Sequence, residues 1–255
     1  MIVLSYAMTK SGSTLALELC KALLEQRGYP QRRLPDGIVQ PGPRINFAHK
    51  FAPQIVSRML EEVGEDEIIA IKTHNGLTKG QARFIEERVA AGQIKVHVNH
   101  RDLREICLSL MDAGENARSK GKPAFAEIHT LADAADAIRT QIMRSKYWCS
   151  IKGALHLHYN DVAFNTRVAA DQMCNDFNFE PVTDEEFDVI CKKIFGGAFT
   201  QKNKARIDRY KELSQSDEKL LHDKIPDLQG HIRGVCLDRD YSWFASASDE
   251  TAPAQ

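Results

Sequence analysis

Long apolar runs are missing from this chain. No stretch of about eighteen apolar residues occurs, so nothing in it is expected to span a membrane. The opening Met1-Ile2-Val3-Leu4-Ser5-Tyr6-Ala7 has neither a basic leader nor a long apolar core, and no signal peptide is expected. An excess of one charge is missing too: 34 Lys and Arg face 35 Asp and Glu, for a net charge of −1. That balance lacks the broad electrostatic footprint of a nucleic-acid or anionic-membrane binder, so any anion site must be local. Cysteine is sparse and scattered, at positions 20, 107, 149, 174, 191 and 236, with no CxxC or Cys/His ligand spacing. This argues against a disulfide scaffold or a zinc site and for reduced thiols in a cytoplasmic setting. No internal repeat and no clear linker is found.

What is present fits a globular α/β chain. The 255 residues, 43% hydrophobic and 27% charged, suffice for one large domain with a substantial core. Ile2–Tyr6, Ile68–Ile71, Ile94–Val98 and Ala154–Tyr159 read as short buried strands. Helical spacing links Leu15, Leu19, Ala22 and Leu23, with an end at Gly28 and Pro30, and returns near 53–63, 78–90, from Asp102 to about Met111, 129–151, 163–176 and 183–194. The proline-bearing segment 30–50 reads as loop and the Gly-, Lys- and Ala-rich segment 113–127 as a mobile connection. Alternating strands and helices imply a three-layer fold, a central parallel sheet flanked by helices. One domain is expected over 1–244, followed by a disordered tail at 245–255.

Four groups of residues suggest chemistry. Lys10-Ser11-Gly12-Ser13-Thr14 follows the first strand and opens a helix. Free backbone N–H groups and the helix dipole favour an anion there; Gly12 permits close approach, Lys10 adds charge, and Ser13 and Thr14 add hydroxyls. The order is not the GxxxxGK[ST] of a nucleotide-binding P-loop, and an ordinary polar turn is the plainer reading. Lys72-Thr73-His74 ends the second strand, where positions two apart share a side. His74 suits a general base at neutral pH and Lys72 a developing negative charge; a surface lysine and a capping histidine are the alternative. Arg101, at a strand end, and Ser109, eight residues on in a helix, could grip a phosphate, or Arg101 could simply pair with Asp102 or Glu105. Lys202, Lys204, Arg206 and Arg209, after Gly196-Gly197, could close over a polyanion or be a solvated charge run. His156 and His158 share a strand face and read as packed histidines. Met143, Tyr147 and Trp148 read as core, and nothing places Asp112 and Glu115 in a cleft.

Taken in order, these groups stop looking independent. The sequence resembles the sulfotransferases that use 3′-phosphoadenosine 5′-phosphosulfate (PAPS), over roughly residues 1–240. Lys10–Thr14 is similar to the family's 5′-phosphosulfate loop of Lys-Ser-Gly-Thr-Thr type. Lys72-Thr73-His74 resembles the Lys-Thr-His of cytosolic-type members, where the histidine is the base. Arg101 and Ser109 match the 3′-phosphate pair in spacing and context. Tyr159-Asn160-Asp161 resembles the segment whose tyrosine lies near the adenine, and Lys202–Lys211 the late basic region that covers the 3′-phosphate. Leu15 stands where many members carry an adenine-stacking tryptophan, and no Arg-Lys-Gly triplet occurs near 202.

The resemblance implies a P-loop-like PAPS core and in-line sulfuryl transfer to a hydroxyl or amine. The catalytic groups would be His74, Lys10 and Lys72. PAPS would be the co-substrate, held by Lys10, Ser11, Gly12, Ser13, Thr14, Arg101, Ser109, Tyr159, Lys202, Lys204 and Arg206, with no metal required. The acceptor would be a small molecule or a glycan, met by loops 30–53, 112–128 and 195–201. The enzyme would be cytoplasmic, with no nucleic-acid or membrane partner; a homodimer is one option. A P-loop small-molecule kinase and a non-catalytic nucleotide-binding protein remain the alternatives.

Overall fold

A computed structural model of the chain describes residues 1–41, 46–196 and 206–246. Lys202 and Lys204, Gly197 and the tail from 247 onwards lie outside the described residues. The elements run β1 (Ile2–Ala7), α1 (Ser13–Gln26), α2 (Pro53–Glu61), β2 (Ile69–Thr73), α3 (Lys79–Ala90), β3 (Ile94–His100), α4 (Leu103–Ser119), α5 (Leu131–Cys149), β4 (Leu155–His158), α6 (Tyr159–Phe164), α7 (Thr166–Phe177) and α8 (Asp184–Gly196). A 3₁₀ turn (Arg209–Glu212) then leads to α9 (Gln215–Lys224), α10 (Leu228–His231), a π turn (Ile232–Asp238) and α11 (Trp243–Ser246).

The four strands form one parallel sheet in the order β2-β1-β3-β4. Strand alternation sorts the side chains of β1 onto its two faces. Ile2, Leu4 and Tyr6 join a core with α2, α3 and the Trp148 end of α5. Val3 joins the other core, beneath α1, α7 and α8. A third core unites α4, α5, α9 and the last helices around Leu103, Ile106, Ile138 and Phe244. Trp148, as expected, is core: it stacks on Tyr6 at 5.3 Å between ring centroids. Met143, in contrast, is exposed.

The structure departs from the sequence reading in several elements: β4 ends at His158, so Tyr159 opens α6, and the helices after Arg209 were not foreseen. Strand β3 continues through Asn99 and His100. Helix α4 continues to Ser119, eight residues beyond the expected Met111, so half of the supposed mobile connection is helical. The apolar stripe of Leu103, Ile106, Cys107 and Leu110 is carried on by Gly114 and Ala117, both buried. Gly114 looks like a breaker in sequence but is a packing residue. A Cβ on it would stand 2.2 Å from the Ile128 carbonyl oxygen, so the glycine lets the loop after α4 lie directly on the helix.

The carboxyl ends of β1, β2 and β3 converge on the β1–α1 loop. Ligands of open parallel sheets bind at this edge. The free side of β2 is bridged by Phe47: the Lys72 N–H donates to the Asn46 carbonyl at 2.7 Å, and Ala48 N–H donates back to the Lys72 carbonyl at 2.9 Å. No described helix is long and apolar enough to cross a membrane.

A candidate anion-binding and proton-transfer site

The β1–α1 loop is shaped for an anion by its own backbone. Lys10 (φ 66°) and Gly12 (φ 84°) are both left-handed, with Ser11 between them. Alternation of this kind turns successive N–H groups into a concave cradle. Asn99 of β3 and Arg101, just beyond its end, hold the loop from behind. Asn99 donates from Nδ2 to the Ser11 carbonyl oxygen, and Arg101 donates from Nη1 to the Lys10 carbonyl oxygen at 3.0 Å. Ser11 itself turns inward: it is fully buried, and its N–H and hydroxyl both donate to the Met8 carbonyl oxygen, at 3.3 and 2.7 Å. No side chain caps the start of α1 and no acid lies in its first turn, so its exposed dipole end favours negative charge.

Gly12 is required twice over. Its φ disfavours any residue with a Cβ, and a Cβ there would meet Tyr159 Cδ2 at 2.6 Å. Tyr159, the first residue of α6, thus lies against the loop. Its other face carries Arg101, whose guanidinium carbon is 3.9 Å from the ring centroid. Arg101 is buried and pairs with Glu105 at 3.0 Å; the pairing weighed from sequence does exist. Ser109 is buried on α4 at 3% exposure. Arg206 is exposed, 3.8 Å from Glu212. Arg209, read as part of the same basic run, is instead buried, held by Asp112 at 2.7 Å and by Glu212, while its N–H donates to Glu105.

Lys72 and His74 reach the loop from β2. Lys72, 6% exposed, donates from Nζ to the Thr14 hydroxyl at 2.8 Å. Burial, with Lys10 nearby, lowers its pKa to about 8, so it is charged at neutral pH. Burial and the neighbouring Arg101 also push Lys10 down. The Nδ1 of His74 is 2.6 Å from the Ala7 carbonyl oxygen. Because a carbonyl only accepts, Nδ1 carries the proton and Nε2 keeps its lone pair. Burial, and then Lys72, lowers the His74 pKa to about 4, which keeps the ring neutral at pH 7.

A cavity of about 180 Å³ opens beside His74, walled by Thr9, Leu110, Phe125, Ile128 and the Gln141–Arg144 turn of α5. Gln141 locks the loop to this wall: its Oε1 accepts from both the N–H and the hydroxyl of Thr9, at 2.6 and 2.8 Å. Sequence reasoning missed Asn99, Gln141 and Arg144. Asn99 was legible, since it precedes Arg101 by two in an extended run and must reach the same side. For Gln141 and Arg144, nothing in the chain signals which helix faces the loop.

His156 and His158 do pack in the interior. His156 Nδ1 is 2.8 Å from His100 Nε2, and both rings stack on Tyr241. Asp102, His231 and Cys236 lie within 4.8 Å of one another. Their atoms are engaged, however: Asp102 takes the Arg104 guanidinium at 2.6 Å and His231 Nε2 accepts the Leu103 N–H at 3.3 Å.

No protein-family model and no curated protein matches this chain. Among solved structures, it is similar to the crystal structure of mouse sulfotransferase SULT7A1 complexed with PAP, with a TM-score of 0.55 at 13% sequence identity, over 96% of this chain and 88% of that one. The likeness is one of fold: a central parallel sheet flanked by helices.

Proposed function

We propose that the chain is a PAPS-dependent sulfotransferase that moves a sulfuryl group to the hydroxyl of a small acceptor. One observation carries the reading. A neutral histidine with a free Nε2 and two lysines meet at the β1–α1 loop, and a cavity opens on the histidine's side. The similar mouse sulfotransferase was solved with PAP, which supports a nucleotide of that kind in the same fold.

In this reading, the cradle of Ser11, Gly12, Ser13 and Thr14 holds the 5′-phosphate. Nε2 of His74 accepts the acceptor's proton as its oxygen attacks sulfur. Lys10 and Lys72 stabilise the charge that grows on the bridging oxygen as the bisphosphate departs. Arg101 and Ser109, with Arg206 and the adjacent Lys202 and Lys204, take the 3′-phosphate. For Arg101 this means sharing its guanidinium between Glu105 and the phosphate. Tyr159 lies where the base would rest. The lysines and arginine supply the positive charge, so the reading calls for no metal. The acceptor is a small molecule rather than a glycan, given the size of the cavity, and the compartment is cytoplasmic.

Ligand-induced stabilisation tests this. Adenosine 3′,5′-bisphosphate without metal, at ~100 times its Kd, should stabilise the protein by about 2.7 kcal/mol. Stabilisation by ATP with Mg²⁺ in its place would point to a kinase. Bisphosphate binding with no sulfate transfer to any hydroxylated acceptor would leave a nucleotide-binding protein without chemistry.

A further inference from the structure

The cavity beside His74 has a composition that selects its occupant. At about 180 Å³ it is smaller than the roughly 300–1,000 Å³ of sites that hold drug-sized ligands. One ring with short substituents fits; a fused polycycle or an oligosaccharide does not. Leu110, Phe125, Ile128 and Ala137 make most of the wall apolar. Helix α5 contributes Ala137, Thr140, Gln141 and Arg144, spaced i, i+3, i+4 and i+7 along one helical face.

Arg144 is the cation of this wall. Among the described residues no carboxylate pairs with it. Its aliphatic stem packs on the segment that carries His74: a Cβ on Gly76 would stand 3.0 Å from Arg144 Cα, Cβ and Cγ. Arg144 is exposed, but its stem is anchored beside the His74 segment, and both residues line the one cavity. A planar guanidinium binds a carboxylate through two parallel N–H···O bonds, and the apolar wall between suits an aromatic ring. Glu127 lines the same cavity and is exposed; an acceptor bearing an amine is the competing solution.

We propose that the acceptor is a small hydroxylated acid, a single-ring phenol bearing a carboxylate, with its hydroxyl at His74 and its carboxylate on Arg144. This rests on the sulfuryl-transfer reading above. In the reaction, the phenolic oxygen forms a bond to sulfur while the bond from sulfur to the bridging phosphate oxygen breaks. The phenolic proton passes to Nε2 of His74. The electron pair of the broken bond leaves on the 5′-phosphate, giving an aryl sulfate and adenosine 3′,5′-bisphosphate.

Calorimetry separates this inference from the reading beneath it. The full chain, saturated with adenosine 3′,5′-bisphosphate, is titrated with 4-hydroxyphenylacetate, 4-methylphenol and 4-hydroxyphenethylamine. The same three compounds are then offered as acceptors with radiolabelled donor. The acid should bind ~10-fold or more tightly than either of the others, the usual scale for a hydrogen-bonded charge pair, and Arg144→Gln should erase that advantage at an unchanged melting temperature. The inference is overturned if the acid binds no tighter than 4-methylphenol, or if its advantage survives Arg144→Gln. Tightest binding of the amine also overturns it and assigns the selection to Glu127. Transfer to 4-methylphenol with no preference for the acid removes the role of Arg144 and leaves sulfuryl transfer standing. Arg144-dependent binding of the acid with no transfer to any of the three does the reverse.

Discussion

His74 on one strand end and Ala7 on its neighbour are joined by a hydrogen bond of 2.6 Å from imidazole Nδ1 to carbonyl oxygen. The bond fixes which nitrogen holds the proton and leaves Nε2 unprotonated on a residue that lines the cavity beside the loop. A backbone carbonyl here orients the imidazole, a task that many enzymes give to a carboxylate. Among the described residues no carboxylate stands behind the ring, only the Ala7 carbonyl raises its pKa, and burial wins.

Removal of the base should separate chemistry from binding. His74→Ala should lower turnover of the preferred acceptor by ~100-fold or more, while stabilisation by adenosine 3′,5′-bisphosphate stays within error of the parent. Turnover at the parental rate would exclude His74 from proton transfer.

The pH–rate profile should have a broad plateau. With His74 near 4 and Lys72 near 8, the base is unprotonated and the lysine charged in between, so kcat/KM should be flat through neutrality. It should fall above about pH 8 as Lys72 loses its proton. Lys72→Arg should move that basic limb beyond the accessible range while reducing the rate, because a guanidinium does not titrate there. A basic limb unmoved by Lys72→Arg would assign it to another group.

The loop should depend on its support from β3. Asn99→Ala leaves the Ser11 carbonyl oxygen without its buried donor, at a cost of about 1–3 kcal/mol. The donor KM should rise ~10-fold, with a smaller change in kcat, since the cradle and not the base is disturbed. An unchanged donor KM in a folded variant would show that the loop holds its shape alone. Gly12→Ala should be harsher: Tyr159 blocks the new methyl group, and bisphosphate stabilisation should disappear.

Acid should unfold the protein through its histidines. Burial lowers His156 to about 4, His158 to about 3 and His231 to about 4, and pushes His100 well down as well. Folded pKa values below the unfolded 6.5 mean that the unfolded chain takes up protons the folded one refuses. Stability is therefore full above about pH 6.5 and is lost as pH falls towards 4, by up to ~1.4 kcal/mol per pH unit for each fully linked histidine. Thermal melts at pH 7.0 and 5.5 should differ by several degrees. His156→Gln should flatten the dependence even if it lowers the melting temperature at both values. Equal melting temperatures at the two pH values would show these rings protonated in the fold or uncharged in the unfolded chain.

Local order was legible in the sequence because it depends on neighbours along the chain. Apolar runs of four to six residues, each followed by a helical stripe, determined the parallel sheet and its flanking helices. A lysine and a glycine after β1, with two hydroxyls at the start of α1, marked the loop that the structure places at the carboxyl edge of the sheet. The positions of Lys72, His74 and Arg101 at strand ends determined that they share an edge of the sheet. What depended on approach through space was left to the tertiary structure. The segment from 113 read as a mobile connection, yet Gly114 lies within α4 and lets the following loop pack on the helix. Asn99 and Arg101 became the backing of the loop only when β3 was laid beside β1. Helix α5, far along the chain, supplied the wall with Gln141 and Arg144, and residues near 231 and 241 closed over His100 and His156. Spacing along the chain sets which face of an element a residue occupies. Only the packing of one element on another decides what that face meets, and so whether a buried ring stays neutral, a guanidinium stays unpaired and a loop is held from behind by its neighbouring strand.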